Sequence, residues 1–260
     1  MDLQLKNKKV LISGGTHGIG LATALAFAEE GCSIAVFSRT EKRVKETEKK
    51  LNSMGVDNIC LVADVLDGDS YISVQKAINS RWGGVDIVVN NIGGGGRWGN
   101  PDMLKTNDLV WREVYDKNLT SAMKYTRMFL PYMLKNKWGR VITITSIYGK
   151  EAGGRPWFNV AKTAQTTLMK NLATNPEYAS ANITFNSVAP GGIWIPNTGW
   201  EEQKEKDPEE FQKFIDKKFP RGSMGKPHEV ASLVVFLGSP VASLINGASI
   251  SADGGESSYI

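Results

Sequence analysis

The chain has 260 residues, 41% of them hydrophobic, enough to bury a substantial core in one large α/β domain or two small ones. Its 31 basic and 27 acidic residues are interspersed, a balance that implies neither nucleic acid nor an anionic membrane as partner and leaves room for a small anionic ligand. Cys32 and Cys60 lie in apolar runs without C-x-x-C spacing and read as buried free thiols of a reducing compartment, with a disulfide between them left open. The first glycine turn comes too early for a secretory leader, and Gly238 and Pro240 interrupt the apolar stretch 231–245, so a cytoplasmic protein without a membrane span is expected. His17 and His228 stand far apart with no ligand cluster around either, and no catalytic metal is expected.

In chain order, KVLISG (9–14) reads as a strand leading through a glycine turn into a helix over 18–30. SIAVFS (33–38) precedes a charged helix reaching Met54, and NICLVAD (58–64) precedes a helix near 70–81. VDIVVNN (85–91), a helix over about 107–135, GRVITITS (139–146) and a helix over 159–173 follow, then ITFNSVAP (183–190), a helix over 228–237 and ASISADGG (248–255). The strands are continuous apolar runs rather than alternations, as parallel strands buried on both faces require. The pattern predicts a single Rossmann-type, doubly wound α/β domain over 1–260, with helices on both faces of a parallel sheet. One charged, helix-compatible insertion, 195–222, interrupts it at the carboxyl end of a strand. Such an insertion is either a solvated excursion or a lid over the place where open α/β sheets bind ligands, and its position favours the lid.

The turn SGGTHGIG opens the first helix. Ser13, Gly14, Gly18, Ile19 and Gly20 there form a candidate pyrophosphate cradle, because glycines allow close backbone approach and the helix N-terminus presents free N–H groups. The residue ending the second strand reads the adenosine ribose in this fold. Here it is Ser38 followed by Arg39, with no acid before Glu41, so a 2′-phosphate is favoured and NADP(H) is expected over NAD(H), with Lys42 or Arg43 adding charge.

With ADV at 63–65, NNIG at 90–93, Asn118, Ser146, Lys162 and PGG at 190–192 in that order, the chain resembles the short-chain dehydrogenase/reductase family over essentially its whole length. The branch it most resembles contains the 3-oxoacyl carrier-protein reductases and related ketoreductases. The resemblance implies that Asp64 and Val65 border the adenine, that Asn91 in the NNIG loop lies beside the cofactor, and that Pro190, Gly191 and Ile193 follow the nicotinamide. Ile92 and Ile195 depart from the residues usual at their positions, and Gly94 to Gly96 suggest a mobile backbone. It further implies a catalytic Asn, Ser, Tyr, Lys tetrad: Asn118 to hold a water, Ser146 to bond the substrate oxygen, Lys162 to bond the nicotinamide ribose and lower the tyrosine pKa.

Phe158 occupies the tyrosine position, four residues before Lys162 and on the same helix face. Without its hydroxyl the developing alkoxide lacks a proton donor, and general acid catalysis is typically worth on the order of 10²–10⁴ in rate. The expected activity is therefore NADP(H)-dependent interconversion of a ketone and a secondary alcohol, impaired at position 158. Three explanations stand: an engineered Tyr-to-Phe change, a naturally non-catalytic NADP-binding sensor or scaffold, or a proton donor displaced to Tyr148. Tyr148, Trp157, Trp194, Trp200 and Trp98 suit a hydrophobic or ring-bearing substrate, or else pack a lid; Arg97 and Arg155 either meet a substrate anion or are solvated. The family resemblance implies a homotetramer through the helices at 107–135 and 159–173 and the C-terminal segment.

Overall fold

The computed structural model describes residues 1–259. Seven strands, β1 (Lys9–Ser13), β2 (Ser33–Ser38), β3 (Asn58–Val62), β4 (Ile87–Asn90), β5 (Gly139–Ile144), β6 (Ile183–Pro190) and β7 (Ser249–Ala252), form one sheet in the order 3-2-1-4-5-6-7. Every pairing is parallel. β5 and β6 are buried at every position, which is why their sequences run apolar without alternation. The chain winds outward from β1 to β3 and then outward the other way from β4, so a crevice opens beyond the carboxyl ends of β1 and β4.

Ten α-helices cross or flank the sheet: α1 (Gly18–Glu29), α2 (Glu41–Ser53), α3 (Gly68–Trp82), α4 (Asp108–Tyr115), α5 (Ser121–Asn136), α6 (Pro156–Ala173), α7 (Pro176–Ser180), α8 (Gly199–Lys206), α9 (Pro208–Lys218) and α10 (Pro227–Gly238). Val74 and Ile78 of α3, Phe129 and Met133 of α5 and Met169 of α6 cover one sheet face. Phe27 of α1, Leu51 of α2 and Val230 and Val234 of α10 cover the other. The predicted doubly wound layering is the one observed.

Three local features differ from expectation. The single helix expected over 107–135 is divided by a π-helical turn, Asp116–Thr120, flanked by Tyr115 and Ser121 with helical backbone angles. Helix α6 starts at Pro156, three residues early: Arg155 is extended and the proline, lacking an N–H, is suited to the first turn. Phe158 thus lies inside the helix. The insertion at 195–222 is amphipathic as well as charged, since Phe211, Ile215, Phe219 and Met224 bury one another with Trp194, Trp200 and Phe214 against them. Trp194 stands edge-on to Phe211 and belongs to this cluster rather than to a ligand pocket.

Candidate active site

The glycine turn closes around its own backbone. Gly14 and Gly18 have φ of 66° and 54°, the left-handed region that favours glycine, and a Cβ on Gly20 would overlap the Gly14 carbonyl oxygen. The Ser13 hydroxyl accepts from the N–H groups of Asn91 and Ile92 at 3.0 and 3.1 Å, and the Asn91 amide donates to the Ser13 carbonyl at 2.9 Å. These bonds brace the ends of β1 and β4 together, so Ser13 acts inside the turn. His17, the residue preceding α1, makes no side-chain cap and no acid lies in the first turn, so the helix start is left for an anion.

Beside this turn a groove of about 270 Å³ brings together Gly14, Ser38, Arg39, Asp64, Val65 and Asn91, six of the residues singled out from sequence. Arg39 is 60% exposed and only 3.7 Å from an Asp64 oxygen, a weak solvent-screened pair that leaves the guanidinium free for a stronger partner. Thr16 donates its hydroxyl to Ser38 at 2.8 Å, and Arg43 also lines the groove while Lys42 does not. Lys117 lines it too. Its ammonium rests 4.3 Å from the centre of the Trp98 ring and makes no ion pair or hydrogen bond among the described residues; burial, then Arg39, pull its pKa down. Three cations against one carboxylate, beside a cradle that a Cβ would fill, fit a phosphate-bearing dinucleotide.

Two further cavities continue the crevice. One, of about 680 Å³, reaches Gly18, Ile19, Gly93, Lys162 and Ile195; the other, of about 620 Å³, reaches Ser146, Tyr148, Gly191, Ile193 and Arg155. They meet at Gly96, Arg97, Phe158 and Trp200, which line both. Pro190 ends β6 in the buried interior and lines neither.

Lys162 is almost wholly enclosed, donates to the Ile144 carbonyl at 2.9 Å and has no carboxylate within ion-pair reach among the described residues; burial pulls its pKa down to about 7. Its ammonium lies 5.7 Å from the centre of the Phe158 ring. Asn118, carried inward by the π-turn, accepts from the Gly94 N–H at 3.3 Å and donates to the carbonyls of Gly94 and Val114 at 2.9 and 2.7 Å. Gly95 lies so close to Val114 that a Cβ would overlap it. The glycine run expected to be mobile is therefore tied to α4 and the π-turn. Ser146 accepts from the Tyr148 N–H at 3.2 Å, while Thr145 is committed to the Val188 carbonyl at 3.0 Å, which leaves Ser146 as the hydroxyl available to a ligand. Trp157, expected as a pocket residue, is instead buried, donates to Gly95 at 3.1 Å and packs edge-on against Trp111.

A family model described as "Enoyl-(Acyl carrier protein) reductase" matches residues 14–257. The chain belongs to the short-chain dehydrogenase/reductase family. It is 34% identical to the uncharacterized oxidoreductase YvrD of Bacillus subtilis, covering 98% of each chain, and 30% identical to the 3-oxoacyl-acyl-carrier-protein reductase of Thermotoga maritima, covering 97% of this chain and 99% of that one. L-Sorbose reductase from Gluconobacter frateurii, crystallised with NADPH and L-sorbose, superposes over 100% of both chains with a TM-score of 0.92 at 29% identity. This short-chain dehydrogenase/reductase chain thus sits among oxidoreductases.

Among the crevice residues that escaped sequence reasoning, Lys117 and Glu256 carry charge. Lys117 reads as a surface lysine until the π-turn is known. Glu256 lies 64 residues from its partner: its carboxylate accepts from the Gly192 N–H at 2.5 Å and stands 3.7 Å from Lys218, and burial is the main cause of its raised pKa. A Cβ on Gly191 would overlap that carboxylate, so the PGG sequence gave a signal of close approach without naming what approaches.

Proposed function

We propose that this chain is an NADP(H)-dependent reductase of ketones to secondary alcohols whose proton-transfer step is impaired at Phe158. The observation that carries the reading is the meeting of Ser146, Phe158 and Lys162 where the nucleotide groove joins a second cavity. When bound, the nicotinamide supplies the hydride. Gly14, Gly18, Ile19 and Gly20 hold the pyrophosphate, Asp64 and Val65 border the adenine, and Lys162 donates to ribose hydroxyls. Ser146 donates to the substrate carbonyl oxygen and stabilises the alkoxide as charge develops. Asn118 holds the Gly94 backbone and so the floor of the crevice. Phe158 lines the reacting position with a ring that carries no exchangeable proton.

Arg39, Arg43 and Lys117 support NADP(H) over NAD(H), and the sorbose reductase that superposes over the whole chain is an NADPH complex. Helices α8 and α9 act as the lid, with Trp200 and Phe214 facing the substrate. The whole of 1–260 serves as one domain. Leu119, Met123, Val160, Ala164 and Leu168 form an apolar strip across the π-turn, α5 and α6, which supports assembly through these helices as a homotetramer in the cytoplasm.

The test is Phe158→Tyr, assayed by NADPH oxidation against a ketone panel beside the parent. A gain of about 10²–10⁴ in kcat supports an impaired reductase. A dead variant that still binds NADPH supports a sensor or scaffold instead, and a parent whose activity disappears with Tyr148→Phe places the proton donor at Tyr148.

A further inference from the structure

We propose that the second cavity selects carbonyl substrates bearing a carboxylate, held by Arg97 and Arg155; this rests on the reductase reading above and names its substrate class. Both arginines line the same cavity of about 620 Å³, a size suited to a small molecule. They reach it from different elements, Arg97 from the loop after β4 and Arg155 from the residue capping α6. Neither has a carboxylate within 4.0 Å, and neither guanidinium donates a hydrogen bond to a protein acceptor among the described residues.

The surrounding charges do not neutralise them. Lys218, 5.8 Å from the Tyr148 ring centre, stands near the cavity without lining it. Glu256 is the one carboxylate lining the cavity, and it is engaged by the Gly192 N–H and by Lys218, with its side chain 4% exposed. Nearby acids are occupied elsewhere: Glu151 accepts from the Ser258 N–H and hydroxyl, and Asp253 from the N–H groups of Gly255 and Ser257. Arg97 and Arg155 against Glu256 leave the lining of the cavity with an excess of positive charge.

Arg97 is also preorganised. Its guanidinium lies 4.3 Å from the centre of the Trp200 ring, and Gly199 makes room for it, since a Cβ there would overlap Nη1. A guanidinium stacked on an indole keeps its edge N–H groups free, and that planar fork matches a carboxylate in a bidentate pair. Because Arg97 lines both cavities together with Phe158, the carboxylate is held close to the carbonyl that accepts hydride. The same Trp200 belongs to the apolar cluster of α8 and α9, so anion capture by Arg97 and the position of the lid share one side chain.

The experiment uses a matched pair, 4-oxo-4-phenylbutanoate and its methyl ester, titrated calorimetrically into the NADP⁺-loaded full chain. The acid is expected to bind about 10- to 100-fold tighter than the ester, the range that one or two charge-assisted hydrogen bonds provide. Arg97→Gln and Arg155→Gln should each remove most of that preference, read as the ratio of acid to ester affinity within each variant, and thermal unfolding of each variant reports that it is folded. Equal affinity for acid and ester, no binding of either, or an acid preference that survives both substitutions overturns the proposal. Reduction of the two compounds by the Phe158→Tyr variant is read separately: preferential acid binding with no NADPH oxidation leaves the anion site standing and removes the reductase reading, whereas reduction of both without charge preference does the reverse.

Discussion

Replacing Lys162 by methionine should stabilise the cofactor-free protein, most strongly in mild acid. The ammonium is enclosed, with one hydrogen bond to the Ile144 carbonyl at 2.9 Å and no carboxylate partner, and burial lowers its pKa from 10.5 to about 7. At about 1.36 kcal/mol per pH unit that displacement amounts to roughly 5 kcal/mol. The folded pKa lies below the unfolded one, so between about pH 7 and 10.5 the unfolded chain binds more protons; the penalty is complete below pH 7 and fades as pH rises. Nearly all of the roughly 5 kcal/mol opposes folding at about pH 6, and about 2 kcal/mol remains at about pH 9. Methionine fills a similar volume but leaves the Ile144 carbonyl without its donor, a cost of about 1 kcal/mol. The expected gain is therefore about 3–4 kcal/mol at about pH 6, shrinking to about 1 kcal/mol at about pH 9. Urea unfolding midpoints of parent and variant at both pH values measure it, provided that the m-values agree. A variant less stable than the parent at the lower pH, or a difference that does not shrink towards the higher one, refutes the reasoning.

Arg39→Gln should weaken NADPH binding about 10- to 100-fold and leave NADH binding nearly unchanged, by fluorescence titration, because an exposed guanidinium facing the groove would pair only with the extra phosphate. Gly20→Ala should lower thermal stability and abolish dinucleotide binding together, since its Cβ would overlap the Gly14 carbonyl oxygen and lie 2.5 Å from the Asn91 amide; a variant with the parent's Tm and NADPH affinity would contradict the tight-turn argument. Val160→Glu places a charge on the half-exposed apolar strip of α6 and should shift the protein to smaller species in sedimentation.

The sheet was legible because parallel strands buried on both faces have little choice but to be apolar, and the tight turn after β1 because a glycine turn is a local device. What escaped depends on distance or on a small change of helical pitch. Trp157 and Trp200 both stand among glycines and charged residues, yet one is core and the other lines the crevice; the difference is set by α6 starting at Pro156 and by α8 turning Trp200 towards Arg97. Lys117 lines the groove from within a π-turn, a local change of pitch that a window of sequence does not announce. Glu256 is brought to Gly192 by the return of the C-terminal segment, which no window of sequence spans.

Phe158 poses its question most sharply through its neighbour. An ammonium 5.7 Å from a phenyl ring gains a little from the ring's negative face, far less than enclosing the charge costs. The chain therefore retains a destabilising lysine at a position where, without a phenol, it has no pKa to lower. The proposed reading leaves Lys162 the role of binding the ribose, and that role would separate from chemistry in a double-mutant cycle. Lys162→Met should weaken NADPH binding by the same factor with or without Phe158→Tyr, and should remove activity only where the tyrosine has restored it. A binding loss that depends on the residue at 158 would mean that the ring and the ammonium act as one unit in holding the cofactor. The hydroxyl would then matter to affinity before it matters to rate.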